Sequence, residues 1–216
     1  MRIGFFTDLH LRDQVPGTSP IERRKCRLMK SRLRECAAAF KAAEVDLVVC
    51  AGDVVDTRHH ENVPLDLAAI RGILDDVGVP VIAVAGNHDP YPGVFYEVFD
   101  EPDYVQTMQG YCLITCVDAL VKGEEFSRRT DDDMARFKNA LAGPEPDNGL
   151  TIIFQHYLVY PDRSEGYPHN YANNAQIMAE MEASGRKILC ISGHYHPGFD
   201  AAQHRGVTYF VGKAMC

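Results

Sequence analysis

Five short apolar runs punctuate the chain, and each gives way to polar residues of the same few kinds. Ile3-Gly4-Phe5-Phe6-Thr7 leads to Asp8 and His10, residues 45–51 lead to Gly52-Asp53, and 81–85 lead to Gly86-Asn87-His88-Asp89. Further on, Ile152-Ile153-Phe154 leads to His156, and 188–192 lead to Gly193-His194-Tyr195-His196. Runs of this length, closed by Gly, Asp and Asn, read as buried strands. A buried strand delivers whatever follows it to one rim of its sheet, so five of them would gather Asp, Asn and His from distant parts of the chain into one crevice.

Between these runs the hydrophobic period lengthens. Ser19-Pro20-Ile21-Glu22 has the form of a capping box with proline at the first helical position, and Leu28, Leu33, Cys36 and Phe40 follow it at roughly helical spacing. This predicts a helix over about 20–43. A second helix is expected from Pro64 through Leu65, Ala69 and Ile73 to a stop at Gly78. Connections of this length imply parallel strand pairs covered by helices. In the second half the pattern predicts a strand over 111–117, a helix over 131–141, a tight loop over 143–149, and strands at 151–156, 187–192 and 207–211. With 216 residues, no repeat and no linker-like tract, a single domain over 1–216 is expected.

Composition narrows the partners. Lys and Arg number 22 against 30 for Asp and Glu, a net charge of −8 that disfavours broad binding to nucleic acid. No stretch approaches the ~20 apolar residues of a membrane span, and Met1 runs straight into a strand pattern without an export signal. The seven cysteines are odd in number, and Cys50 and Cys190 sit inside apolar runs as small core residues. The expectation is a reduced, cytoplasmic protein.

Taken singly, the polar blocks are weak signals. Asp8-x-His10 is commonly a strand end and a turn, Gly52-Asp53 a turn, and Asn87-His88 a loop or a cap. No such reading explains why all five occur in order, each directly after an apolar run. Carboxylate, imidazole and amide oxygen together suit divalent ions of intermediate hardness, namely manganese, iron(II) or zinc, and the absence of cysteine among the ligands argues against a soft thiolate site. The number of ligands implies two such ions.

Asp-x-His, Gly-Asp-x-x-Asp, Gly-Asn-His-Asp, a lone His and Gly-His-x-His, in that order from Asp8 to His196, make the chain similar to the calcineurin-like metallophosphoesterases. The resemblance implies an α/β fold, a four-layer αββα sandwich of two mixed β-sheets flanked by helices. It places Asp8, His10 and His196 on one metal and Asn87, His156 and His194 on the other, with Asp53 bridging. It makes His88 the catalytic histidine that stabilises or protonates the departing oxygen, Asp56 an acceptor fixing a neighbouring histidine, and Asp89 the residue orienting His88. The implied chemistry is hydrolysis of a phosphoester by a hydroxide shared between the two metals, attacking phosphorus in line.

The full first block and small size resemble the compact bacterial phosphodiesterase branch, so a phosphodiester, with cyclic nucleotides in view, is the favoured small substrate. A phosphomonoesterase or nucleotide pyrophosphatase on the same site, and a non-catalytic protein-binding scaffold, are the alternatives. Other signals receive plainer readings. Arg23, Arg24, Lys25, Arg27, Lys30, Arg32 and Arg34 are expected to form a solvated helix face, His59 and His60 a polar rim loop, and the tyrosines and asparagines from Tyr157 to Asn174 an ordinary packed lip. Asn173 or Asn174 would cap the helix through Ile177. Because the last strand pattern lies so near Cys216, the second sheet is expected to be short, and its edge invites pairing with a second copy in a homodimer.

Overall fold

The first three apolar runs pair side by side as parallel strands. They are β1 (Ile3–Phe6), β2 (Leu47–Ala51) and β3 (Val81–Val84), in that order across one sheet, with Gly4 opposite Val48 and Cys50 opposite Ala83. The computed structural model describes residues 1–91, 93–117, 127–165 and 167–216. These fall into two compact units, 1–102 with 213–216, and 103–212.

In the first unit, helix α1 (Met29–Ala42) packs through Met29, Leu33 and Ala37, and α2 (Val63–Asp75) through Val63, Leu67, Ile70, Ile73 and Leu74. Gly4 lets α1 lie close, because a Cβ there would come within 2.8 Å of the Phe40 ring. A short helix α3 (Val94–Val98) adds Phe95 to the same core.

The expected beginning of α1 at residue 20 does not occur. Ser19 donates its hydroxyl to Asp56 at 2.9 Å, and residues 20–25 turn back toward the sheet rim before one 3-10 turn, Cys26–Leu28, leads into α1. Leu28, expected on the buried face, is 53% exposed. Nor are the basic residues of this segment a solvated face throughout. Arg27 donates to the carbonyls of Asp13, Val15 and Gly17, Lys30 pairs with Asp13 at 2.5 Å, and Arg24 reaches Asp56. Asp66, buried on α2, accepts from the backbone N–H groups of Asp13 and Gln14 and holds the near end of this strap.

The second unit carries a six-stranded mixed sheet in the order β4 (Val105–Met108), β5 (Tyr111–Thr115), β6 (Thr151–Phe154), β7 (Ile188–Ser192), β9 (Val207–Val211), β8 (Phe199–His204). The four central strands are parallel and both edges antiparallel. Helices α4 (Asp131–Leu141) and α5 (Asn174–Ala183) supply Phe137, Leu141, Ile177 and Met181 to its core. α4 begins in a capping box between Thr130 and Asp133.

The expectation of a short second sheet is corrected by β4 and β8. Each opens a hairpin through a two-residue turn, Gln109-Gly110 and Arg205-Gly206, with both residues at positive φ. Asn173 stands at the N-terminus of α5, but its amide clasps the backbone of Arg129 instead, accepting from its N–H and donating to its carbonyl.

Candidate metal centre

Just past β1, the chain leaves the extended conformation in which Asp8 and His10 would share a side by alternation. Both enter the left-handed region, with φ of 52° and 47°, as do Asp53 at 55° and His194 at 63°. Non-glycine residues occupy that region at a cost, and persist there only where their surroundings over-determine them. Asp8 N–H donates to Gly52 O at 3.0 Å, His10 N–H to Asp53 O at 2.9 Å and Leu11 N–H to Val54 O at 2.9 Å, lacing the loops after β1 and β2 together. Four of the seven described non-glycine residues with positive φ are thus ligand candidates.

The outcome is convergence. Donor atoms of Asp8, His10 and Asp53, all buried, lie within 4.8 Å of one another, with His10 Nε2 at 3.6 Å from Asp53 Oδ2 and 3.9 Å from Asp8 Oδ1. Burial pushes the His10 imidazole down to about 3, against the opposing pull of the Asp53 and Asp8 carboxylates. A neutral imidazole keeps a lone pair to offer, and with two carboxylates it makes a donor set that fits a divalent cation.

The loop after β3 joins the other two. Gly86 stands so close to Asp53 that a Cβ would come within 2.5 Å of its backbone nitrogen. Asp89 accepts from the N–H groups of Val54 and Val55 with one carboxylate oxygen and from Gly86 N–H with the other, so it positions this loop through the backbone. His88 N–H donates to Asp53 Oδ1 at 2.8 Å. Asn87 is half-buried beside it, its carbonyl accepting from Arg58.

The His88 ring stands edge-on to His10, with centroids 4.7 Å apart. Its Nδ1 lies 2.9 Å from the Asp56 carbonyl, which can only accept, so the proton sits on Nδ1 and Nε2 carries the lone pair. The acceptor that Asp56 offers to His88 is its main-chain carbonyl, not its carboxylate. The Asp56 carboxylate accepts from Ser19, Arg12 and Arg24. Burial alone would raise this carboxyl, but the hydrogen bonds from Ser19 and Arg12 and the neighbouring positive charges hold it below its ordinary value.

Sequence reasoning missed two neighbours of this cluster. Arg24 Nη1 lies 3.3 Å from Asp56 Oδ1 and 3.5 Å from His88 Nε2. Cys216, tied back by its N–H to Asp8 O, brings its sulfur within 4.8 Å of a His10 ring nitrogen. Neither follows an apolar run, so no pattern marked them. His59 and His60 are occupied locally, His59 accepting from Arg58 and His60 from the Asn62 N–H.

In the second unit, His156 follows β6 and His194 follows β7, both buried, with ring centroids 4.9 Å apart. Gln155, also buried, spans the two strand ends by donating to Tyr157 O and Ser192 Oγ while accepting from Arg129. His196 is half-buried in the turn beyond β7. Of the tyrosine-rich stretch, Tyr157 and Tyr171 are core residues, Asn170 bonds the loop's own backbone, and Tyr167 is 49% exposed.

A helix-flanked α/β fold with two sheets, bearing buried carboxylates and a neutral imidazole at strand ends, defines a protein built to hold a hard or intermediate cation. A family model described as calcineurin-like phosphoesterase matches residues 1–198, and the chain belongs to that family. It is 26% identical over 180 residues to a protein of Xenorhabdus bovienii named a probable cyclic nucleotide phosphodiesterase, covering 80% of this chain and 69% of that one. A protein of the same name from Psychrobacter arcticus is 25% identical over 97% of this chain and 78% of its own. Among solved structures, a dimetal phosphatase from Danio rerio superposes with a TM-score of 0.77 at 14% identity, covering 98% of this chain and 87% of that one. A protein of Thermus thermophilus gives 0.55 at 11% identity, covering 85% and 84%. These likenesses establish the metallophosphoesterase fold.

Proposed function

We propose that this chain is a dinuclear metal-dependent phosphoesterase acting on a phosphodiester, with cyclic nucleotides as the leading substrates, and that 1–216 work as one catalytic domain. The observation that carries the reading is the buried meeting of Asp8, His10 and Asp53, all three at positive φ. The preference for a diester is supported by the names of the relatives at 24–26% identity.

In this reading Asp8, His10 and His196 hold one cation, Asn87, His156 and His194 the other, and Asp53 both; manganese, iron or zinc suits these donors. Bound divalent cations supply Lewis acidity toward phosphoryl oxygens and lower the pKa of coordinated water. The chain's own residues do the rest. Asp53 is fixed by the His88 N–H, and Asp89 anchors the loop that carries both Asn87 and His88. With its Nδ1–H committed to the Asp56 carbonyl, the His88 ring is oriented, and Nε2 is the nitrogen that faces the departing oxygen, to which the ring gives a proton when it is in the imidazolium form.

The test is the initial rate on bis-p-nitrophenyl phosphate beside p-nitrophenyl phosphate, with manganese supplied and protein purified without chelator. Faster diester cleavage is expected. Faster monoester cleavage would instead favour a phosphatase, and no rate on either by metal-loaded protein would sink the reading. His88→Ala should keep its metal while losing on the order of 10²–10⁴ in rate. A metal-loaded, fully active variant would remove His88 from the mechanism.

A further inference from the structure

The strap between β1 and α1 does more than connect them. Residues 18–28 line an open cleft of about 440 Å³, with Pro20, Ile21 and Leu28 as its apolar wall and Ser19, Glu22, Arg24 and Lys25 among its polar groups. That volume lies within the range of small-ligand sites, and an apolar wall with a few convergent polar groups is what such sites present. Ile21 and Leu28 are 46% and 53% exposed, an unusual display for two large aliphatic side chains on one short segment.

Arg24 connects this cavity to His88. Its side chain is only 9% exposed, and its Nε is buried with no hydrogen-bond partner among the described residues. Nη1 divides itself between Asp56 Oδ1 at 3.3 Å and His88 Nε2 at 3.5 Å, both at the long end for a hydrogen bond. Asp56 already has Arg12 at 3.0 Å and Ser19 at 2.9 Å. One carboxylate therefore serves two guanidinium groups beside the histidine proposed to meet the leaving oxygen. A buried guanidinium with an idle N–H and weak contacts has much to gain from a phosphoryl oxygen, because charge-assisted bonds are shorter and about twice as strong.

We propose that Arg24 binds a phosphoryl oxygen of the substrate and that the strap cavity takes the organic group esterified to it, selecting phosphoesters with a compact apolar or aromatic substituent. The inference rests on the reading of His88 given above. On binding, Arg24 exchanges its contact with His88 Nε2 for the phosphoryl oxygen, and that nitrogen is released toward the leaving group. Pro20, Ile21 and Leu28 flank the substituent, with Lys25 and Glu22 among the polar groups around it.

Calorimetric binding of phenylphosphonate and methylphosphonate to the manganese-loaded protein tests this, since neither is hydrolysed and they differ only in the apolar group. Phenylphosphonate should bind at least fivefold more tightly. Arg24→Gln should weaken both about tenfold or more while manganese content stays at the wild-type level, and Arg24→Lys should recover part of that loss. Leu28→Trp, at an exposed position that tolerates the change, should bring phenylphosphonate down to the affinity of methylphosphonate. Equal binding of the two ligands by the wild type overturns the cavity's role, and Arg24→Gln affinities within twofold of wild type overturn that of Arg24. Diester turnover, measured alongside, separates the two claims. An active enzyme lacking these differences keeps its proposed function and loses the subsite, whereas Arg24-dependent binding without turnover does the reverse.

Discussion

Asp53 illustrates how much one residue is asked to do. It sits at φ 55°, accepts from His88 N–H, and gives its carbonyl to His10 N–H while its other carboxylate oxygen faces His10 Nε2. This is feasible because its neighbour across the sheet rim is Gly86. A methyl group at 86 would overlap both the backbone and the carboxylate of Asp53. Gly86→Ala is therefore expected to cost on the order of 1–3 kcal/mol of stability through overpacking and to lower manganese affinity with it. Thermal denaturation with and without manganese checks this; an unchanged midpoint and full metal content would show that the loop absorbs the methyl. The same scale shows what residue-level reading misses. Asp8 and His10 do converge, but through left-handed backbone and not through strand alternation, because the crossing hydrogen bonds to Gly52 and Asp53 force the turn. In the sequence Arg24 is one of seven basic residues on an expected helix, and only its burial against Asp56 distinguishes it.

At the level of elements, apolar runs are reliable guides because strands buried on both faces need them. β2 and β7 each lie within the expected runs, and their ends deliver Asp53 and His194 to the rims of their own sheets. Edge strands lack that requirement. β4 and β8 are largely exposed, their sequences Val-Gln-Thr-Met and Phe-Asp-Ala-Ala-Gln-His show little alternation, and their hairpin turns place Gln and Arg where Asn or Gly would have been a signal. The start of α1 fails for another reason. A local capping motif competes with tertiary demand for the same hydroxyl, and Asp56 takes Ser19. The Thr130 and Asp133 box of α4 has no such rival among the described residues. Thr130→Ala should cost about 1 kcal/mol, measurable by urea denaturation, and a shift of under a few tenths would mean that the box contributes little to the folded state.

For the whole molecule, Asp8, His10, Asp53 and Asn87 belong to one compact unit, and His156, His194 and His196 to the other. Cation binding to the proposed ligands should stabilise the folded protein. At a free manganese concentration a hundred times the dissociation constant the gain is about 2.7 kcal/mol, or roughly 5–10 °C in melting temperature for a chain of this size. Differential scanning calorimetry against a chelated control reads it directly, with His156→Ala shrinking the shift. A shift that His156→Ala leaves intact would remove His156 from the proposed ligands. No described helix is long and apolar enough to cross a membrane. The family, the central strands and the order of the ligand blocks are all legible in the residues alone, because buried strands demand apolar runs and metal chemistry demands particular donors at their ends. Which backbone twists left-handed, where the strap over 12–25 turns, and that Arg24 stands beside His88 are settled by tertiary contacts. Those outcomes depend on hydrogen bonds between residues well separated in sequence, and no local pattern carries them.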